Sequence, residues 1–272
     1  MMVTTARRLS FFTVLTLCSF VFLSSQALAG LVIERIHTQG TSPSMGKISK
    51  MITYYQDNKV KTVSSNGDYT IVDLEKGTMA IVNPKKKQYS LTTLDAMLGQ
   101  MQAGMDKLKA HLKGISPEQR AMIEKMMGMN QPGGTSINLK KLGDSQVIAG
   151  YPAHHYVITQ GGKKVAEYWV SEKLRNQMLR EMDKDKIEKF EKAMSKISSQ
   201  MNVFGNSNLT KLMELEQKLQ KKGEIVKQIQ YPNNVNMNRQ GSYQEVTSVR
   251  EQSLNPTVFE IPRGFKKMNT RP

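Results

Sequence analysis

Short apolar-rich runs separated by polar turn clusters recur over the first third of the chain after residue 29. Leu31-Val32-Ile33 opens this region, Ile48 to Tyr55 and Lys59 to Ser65 continue it, and Tyr69, Ile71 and Val72 lie beyond an Asn66-Gly67 pair. Short runs of this kind, bounded by turn residues, predict strands. Gln56-Asp57-Asn58 reads as a turn, and Asn66-Gly67 predicts a tight hairpin, because both central turn positions favour positive φ. Glu75-Lys76-Gly77 and Pro84 to Lys87 predict the next turns, with strands over Thr78 to Asn83 and Gln88 to Leu91. Short strands at steady spacing describe an antiparallel meander.

The period then changes. Leu94, Met97, Leu98, Met101, Met105, Leu108 and Leu112 recur every three or four residues, which is one face of a helix. Ser116-Pro117-Glu118-Gln119 has the form of a helix start, with Ser as N-cap and Gln three residues on. The helix it opens carries Ala121, Met122, Ile123, Met126 and Met127 and ends at Gln131-Pro132-Gly133-Gly134. Strands return from Leu139 to Trp169, with Gly161-Gly162 as a hairpin turn. Ser171 is placed to cap one long helix whose stripe runs Leu174, Met178, Met182, Phe190, Met194, Ile197 and Met201. Leu209 to Leu219 carries a further helix that Gly223 stops, and two strands follow over Glu224 to Tyr231 and Ser242 to Ser253. Strands, helices, strands, helices, strands is the order of an α+β fold, and it lacks the β-α-β rhythm of a parallel sheet.

The N-terminus has a different character. Arg7 and Arg8 precede an apolar run from Leu9 to Leu23, and Ser24-Ser25-Gln26-Ala27-Leu28-Ala29 follows as a small-residue cleavage site. This predicts a secretory signal over 1–29, cleaved after Ala29, and a periplasmic product. Residues 30–272 then form a single domain, with helical insertions at about 92–129 and 171–222. Cys18, the sole cysteine, leaves with the signal, so no disulfide or thiolate site is expected. Arg7 and Arg8 are the only charges in the signal, and the full chain's net +16 becomes +14. That excess points to anionic partners such as a membrane surface. The lysines are scattered, however, with Lys85-Lys86-Lys87 the one dense run. Nucleic acid is excluded by location and by the lack of aromatics interleaved with basic residues.

Catalytic motifs are missing: no G-x-S-x-G, H-E-x-x-H, Walker loop or G-x-G-x-x-G occurs. His154 and His155 are strand neighbours and point to opposite faces, so they do not chelate one metal. Neither a cofactor nor a metal is expected, and the protein reads as a non-enzyme. Its unusual feature is methionine, 19 in the full chain. Met is unbranched and polarizable, and it suits both core packing and an adaptable apolar surface.

Three segments carry a resemblance. They are Met51-Ile52-Thr53-Tyr54-Tyr55 through Asn83-Pro84-Lys85-Lys86-Lys87-Gln88-Tyr89, Ile148-Ala149-Gly150-Tyr151-Pro152-Ala153-His154-His155-Tyr156 through Glu167-Tyr168-Trp169-Val170-Ser171, and Glu245 to Val249 through Phe259-Glu260-Ile261-Pro262-Arg263-Gly264-Phe265. With these the chain resembles an exported bacterial family catalogued as a domain of unknown function, related to the periplasmic lipoprotein-carrier superfamily. The resemblance implies a curved antiparallel sheet forming an incomplete β-barrel, with helices packed on or plugging the concave side. It implies a non-catalytic carrier of a lipid, acyl chain or other apolar ligand. The arginine-centred lid lock of the lipoprotein carrier itself has no counterpart here. The residues expected to line the ligand site are Leu94, Met97, Met101, Met105, Met122, Met126, Met178, Met182, Tyr69 and Trp169. The alternative is an envelope protein-interaction module that uses the long helices as its contact face.

Overall fold

The computed structural model describes residues 30–114, 116–119, 136–201, 207–232 and 240–268. Strands β1 (Gly30–Gln39), β2 (Ser49–Gln56), β3 (Lys59–Val63), β4 (Tyr69–Asp73), β5 (Thr78–Asn83) and β6 (Gln88–Thr93) form the predicted meander. Helix α1 (Leu94–Lys113) follows, and its N-cap Thr93 accepts from the Ala96 N–H. Strands β7 (Ile137–Ile148), β8 (Tyr151–Gln160) and β9 (Lys163–Ser171) precede helices α2 (Glu172–Met178), α3 (Lys184–Met201) and α4 (Ser207–Lys222). Strands β10 (Glu224–Gln230), β11 (Ser242–Gln252) and the two-residue β12 (Lys266–Lys267) follow among the described residues. Together they make one curved twelve-stranded sheet in the order β12-β6-β5-β4-β3-β2-β1-β11-β10-β9-β8-β7, antiparallel except for β12 against β6. It runs open between β12 and β7 at its two edges.

Turn chemistry explains the register. Asp57-Asn58, Ala149-Gly150 and Gly161-Gly162 each place two consecutive residues at positive φ, as two-residue hairpins with right-handed twist require. The Asn66-Gly67 turn departs from expectation, since only Gly67 is left-handed, at φ 89°. The reason is local: Asn66 Oδ1 accepts the Asp68 N–H at 2.9 Å, and Ser64 N–H reaches Asp68 O at 2.9 Å, so the loop is wider than a two-residue turn.

The single helix predicted from Ser171 to Met201 is two helices. Residues 179–183 interrupt it, where Asn58 N–H donates to Glu181 O at 3.0 Å. Asp183 Oδ1 then accepts the N–H groups of Asp185 (2.9 Å) and Lys186 (3.3 Å), which is how an Asp N-cap starts a new helix. The β2–β3 turn therefore pins the break. Ser116 and Gln119 exchange side chain to backbone bonds at 3.2 and 3.3 Å, the predicted capping box. The body of that helix, with Met122 and Met126, lies outside the described residues. So does the predicted signal. No helix among the described residues is long and apolar enough to cross a membrane.

Three apolar clusters hold the layers together. Tyr156, Ile158, Ala166 and Tyr168 on one face of β8–β9 pack against Leu212, Leu215 and Leu219 of α4. Val32, Tyr69, Ile71, Ala80 and Val82 of the meander pack against Leu254 and Phe259 of the C-terminal segment. The third joins Leu31, Ile33, Tyr55, Ala153, Trp169, Val226 and Val246 with Leu174 of α2. Its strands reach from β2 to β8, five steps apart in the sheet. Flat, that is about 24 Å.

Candidate functional site

The third cluster is where the sheet and α2 meet, and it collects the side chains with chemistry. Alternation on β8 and β9 sends Tyr156 and Tyr168 towards α4, so their neighbours His155 and Trp169 must face the other way. His155 and Trp169 are cross-strand partners and stack, with ring centroids 4.2 Å apart and planes within 10°. Lys227 of β10 stands over the indole at 4.7 Å.

His155, 6% exposed, is held at both ring nitrogens. Nδ1 lies 2.8 Å from Asp144 Oδ2, and Nε2 lies 2.8 Å from Glu167 Oε2. Carboxylates only accept, so both bonds form together when both nitrogens carry protons. Asp144 sits where the β7–β8 register shifts between Lys141 and Ser145, and this irregularity turns its carboxylate back onto the ring. Glu167 is buried and also accepts from the Tyr231 hydroxyl and from Lys164 Nζ (3.3 Å). Burial alone pushes its pKa up, but the bonds from Tyr231, Lys164 and His155 outweigh this and hold the carboxyl below its ordinary value. The Tyr231 hydroxyl is pushed up to about 12 by burial and by the Glu167 carboxylate.

A stability consequence follows from the sign of that shift. A carboxyl with a depressed folded pKa stabilises the fold above its unfolded value of about 4.3 and loses that contribution as pH falls through the folded value. Melting temperature is therefore expected to drop on acidification below roughly pH 4.3. Glu167→Gln should flatten this acid limb in a pH series of thermal melts. An unchanged acid limb would show that Glu167 does not carry it.

A cleft of about 420 Å³ adjoins the cluster, lined by Tyr151, Lys173, Gln177, Arg180 and Glu251. The Tyr151 hydroxyl donates to Gln177, which in turn donates to Glu251. Glu181 lies beside it, with a buried Oε2 that has no hydrogen-bond partner. Burial, then the Asp57 and Glu251 carboxylates, push its pKa up. No group of three or more His, Cys, Asp or Glu among the described residues could hold a metal ion.

The residues expected from sequence fall into three places. Trp169, Met178 and Met182 come together in the third cluster, where both methionines remain partly accessible. Tyr69 is buried in the meander's own cluster. Leu94 and Met97 on α1 are half-buried and Met101 is exposed, and α1 packs on α3 and β6 rather than on a buried cluster. The backbone of Met105 belongs to α1, while Met122 and Met126 are outside the described residues. Sequence reading missed the His155–Glu167 contact. Its signal was a single acid, Glu167, inside the apolar run Val165 to Val170, opposite a histidine strand: a charge there needs a partner.

A family model described as Domain of unknown function (DUF4412) matches residues 120–265. No curated protein matches the chain. Among solved structures the chain is similar to PNGF-II in its C2 crystal form, at 10% identity and a TM-score of 0.37. That match covers 89% of this chain and 31% of PNGF-II, so the chain spans about a third of that protein's length. It is similar to the Pseudomonas aeruginosa MucA/MucB complex structure at 11% identity, over 86% of this chain and 58% of that one, with a TM-score of 0.37. A LolA superfamily protein, NE2245 from Nitrosomonas europaea, matches at 6% identity over 86% of this chain and 90% of its own, with a TM-score of 0.26. Likenesses this distant leave function to be argued from the chain's own residues.

Proposed function

The chain belongs to the family described as a domain of unknown function (DUF4412), and from that footing we propose that it is a non-catalytic binding or carrier protein of the bacterial envelope for an apolar ligand. The supporting observation is the third cluster: an apolar surface spanning β2 to β8, roofed by α2, with Met178 and Met182 still half-open at its rim. Methionine at a rim can re-pack around a guest without leaving favoured rotamers. In this reading α2 lies in the hollow of the curved sheet, an acyl chain enters beside Met178 and Met182, and Trp169 forms the floor. The polar end of the guest rests in the cleft among Lys173, Gln177, Arg180 and Glu251. Helices α1 and α3 carry further apolar residues, Leu94, Met97 and Met101 among them, to the outer lip. Affinity comes from buried apolar area at roughly 25 cal/mol per Å², or about 0.8 kcal/mol per methylene.

Trp169 is the chain's single tryptophan and therefore reports on this site. Binding of a fluorescent fatty acid is expected to quench Trp169 emission by energy transfer, saturably, and solvent extraction of the purified protein should yield a co-purifying lipid by mass spectrometry. No lipid in the extract together with no quenching at saturating fatty acid would overturn the reading.

A further inference from the structure

We propose that the sheet edge built by β6 and β12 is a docking surface for an anionic phospholipid bilayer. The turn between β5 and β6 presents Lys85, Lys86 and Lys87, and the C-terminal segment lays Arg263, Lys266 and Lys267 beside it. All six side chains are exposed, and none of them joins an ion pair among the described residues. The two groups are far apart in sequence. The parallel pairing of Lys266 with Gln88 and Lys267 with Tyr89 brings them together, sealed by Lys266 N–H to Lys87 O (2.8 Å) and Met268 N–H to Tyr89 O (2.7 Å).

Edge lysines by themselves need no partner, since a charged edge strand simply resists pairing with other sheets. Lys266 and Lys267 would suffice for that. The surface goes further in two respects. Lys87 holds φ 49°, a left-handed conformation that Gly or Asn adopts with less strain, yet it carries a charged side chain there. Met268 stands 43% exposed directly after Lys267, and Leu91 is exposed two residues beyond Tyr89 on β6. Cations around an exposed apolar side chain match the bilayer interface, where lysines meet headgroup phosphates and the thioether enters the acyl boundary. A soluble polyanion would give Met268 no such partner. This surface is separate from the cluster beneath α2, and docking does not depend on a bound ligand.

The test uses the protein as processed and released by the cell, co-sedimented with vesicles. Binding to phosphatidylglycerol–phosphatidylcholine vesicles is expected, with none to phosphatidylcholine alone, and it should fall as salt rises. The variant Lys85→Gln/Lys86→Gln/Lys266→Gln/Lys267→Gln should lose affinity by roughly 600-fold, since each of the four lysines at a charged bilayer is worth roughly fivefold. A variant with the same charge loss on α4 and α3, Lys189→Gln/Lys218→Gln/Lys221→Gln/Lys222→Gln, should keep most of it. Met268→Ser should weaken vesicle binding and leave any polyphosphate binding unchanged. Three results would overturn the proposal: no binding of the parent protein to anionic vesicles, equal losses in the two lysine variants, or capture by polyphosphate without vesicle binding.

Discussion

Trp169→Ala is expected to cost about 3–5 kcal/mol of unfolding free energy, the range for emptying a large aromatic from a core. The indole is 8% exposed and touches three kinds of partner at once: apolar residues of the third cluster, the stacked His155 ring and the Lys227 ammonium. Its loss leaves a cavity, and it also uncovers one face of an imidazole whose two nitrogens are tied to carboxylates. Urea unfolding followed by circular dichroism measures the effect. Trp169→Phe keeps a ring against His155 and should lose clearly less. A loss under about 1 kcal/mol for the alanine variant would mean that the site collapses freely and that Trp169 is not a structural floor.

The second large effect is expected at Arg35. This guanidinium is buried and pairs with Glu224, while Tyr55 stands against it. The three residues belong to β1, β10 and β2, so the contact ties four neighbouring strands, β2-β1-β11-β10, on one face. Register shifts in both participating strands, at Glu34/Arg35 and at Ile225/Lys227, accommodate it. Arg35→Met strips a partly buried carboxylate of its partner and should cost about 3–5 kcal/mol. Replacing both residues, Arg35→Met with Glu224→Met, removes the stranded charge and should recover most of that loss. If the double variant is no more stable than Arg35→Met, the penalty is one of shape and the ion-pair account is wrong.

The meander illustrates what local pattern can reveal. Thr78–Asn83 is a strand both as expected and as found, because its short apolar run, its flanking turns and its length agree, and nothing distant competes. The hairpin at Gly161-Gly162 and the caps at Ser171 and Ser116 are equally local, each satisfied by atoms within four residues. The helix break at 179–183 was not legible. The apolar stripe continues through Met182, and the chain stops being helical because Asn58, on a distant turn, takes its backbone groups.

The candidate site divides in the same way. The methionine-rich stripe after Ser171 was visible as periodicity, and Trp169, Met178 and Met182 do converge. Tyr69 has the same alternation as Tyr55, yet the two lie in different clusters, since the face a strand presents depends on register with its neighbours. For His155 the lone acid Glu167 in its apolar run was the one local signal, and Asp144 had none, because the two carboxylates approach the ring from β9 and β7 through a cross-strand pairing and a bulge.

By itself the sequence determined the large positive charge, which is a matter of composition, and most of the strands, turn positions and apolar stripes, which arise from interactions between residues a few positions apart. Only the tertiary structure decided which stripes share a cluster, where Arg35 and His155 find their counter-charges, and that Lys85–Lys87 and Lys266–Lys267 form one basic edge. The physical reason is that pairing register and sheet curvature bring together groups up to about 220 residues apart, as in the pairing of Gly30 with Gln252, and no local propensity encodes those distances.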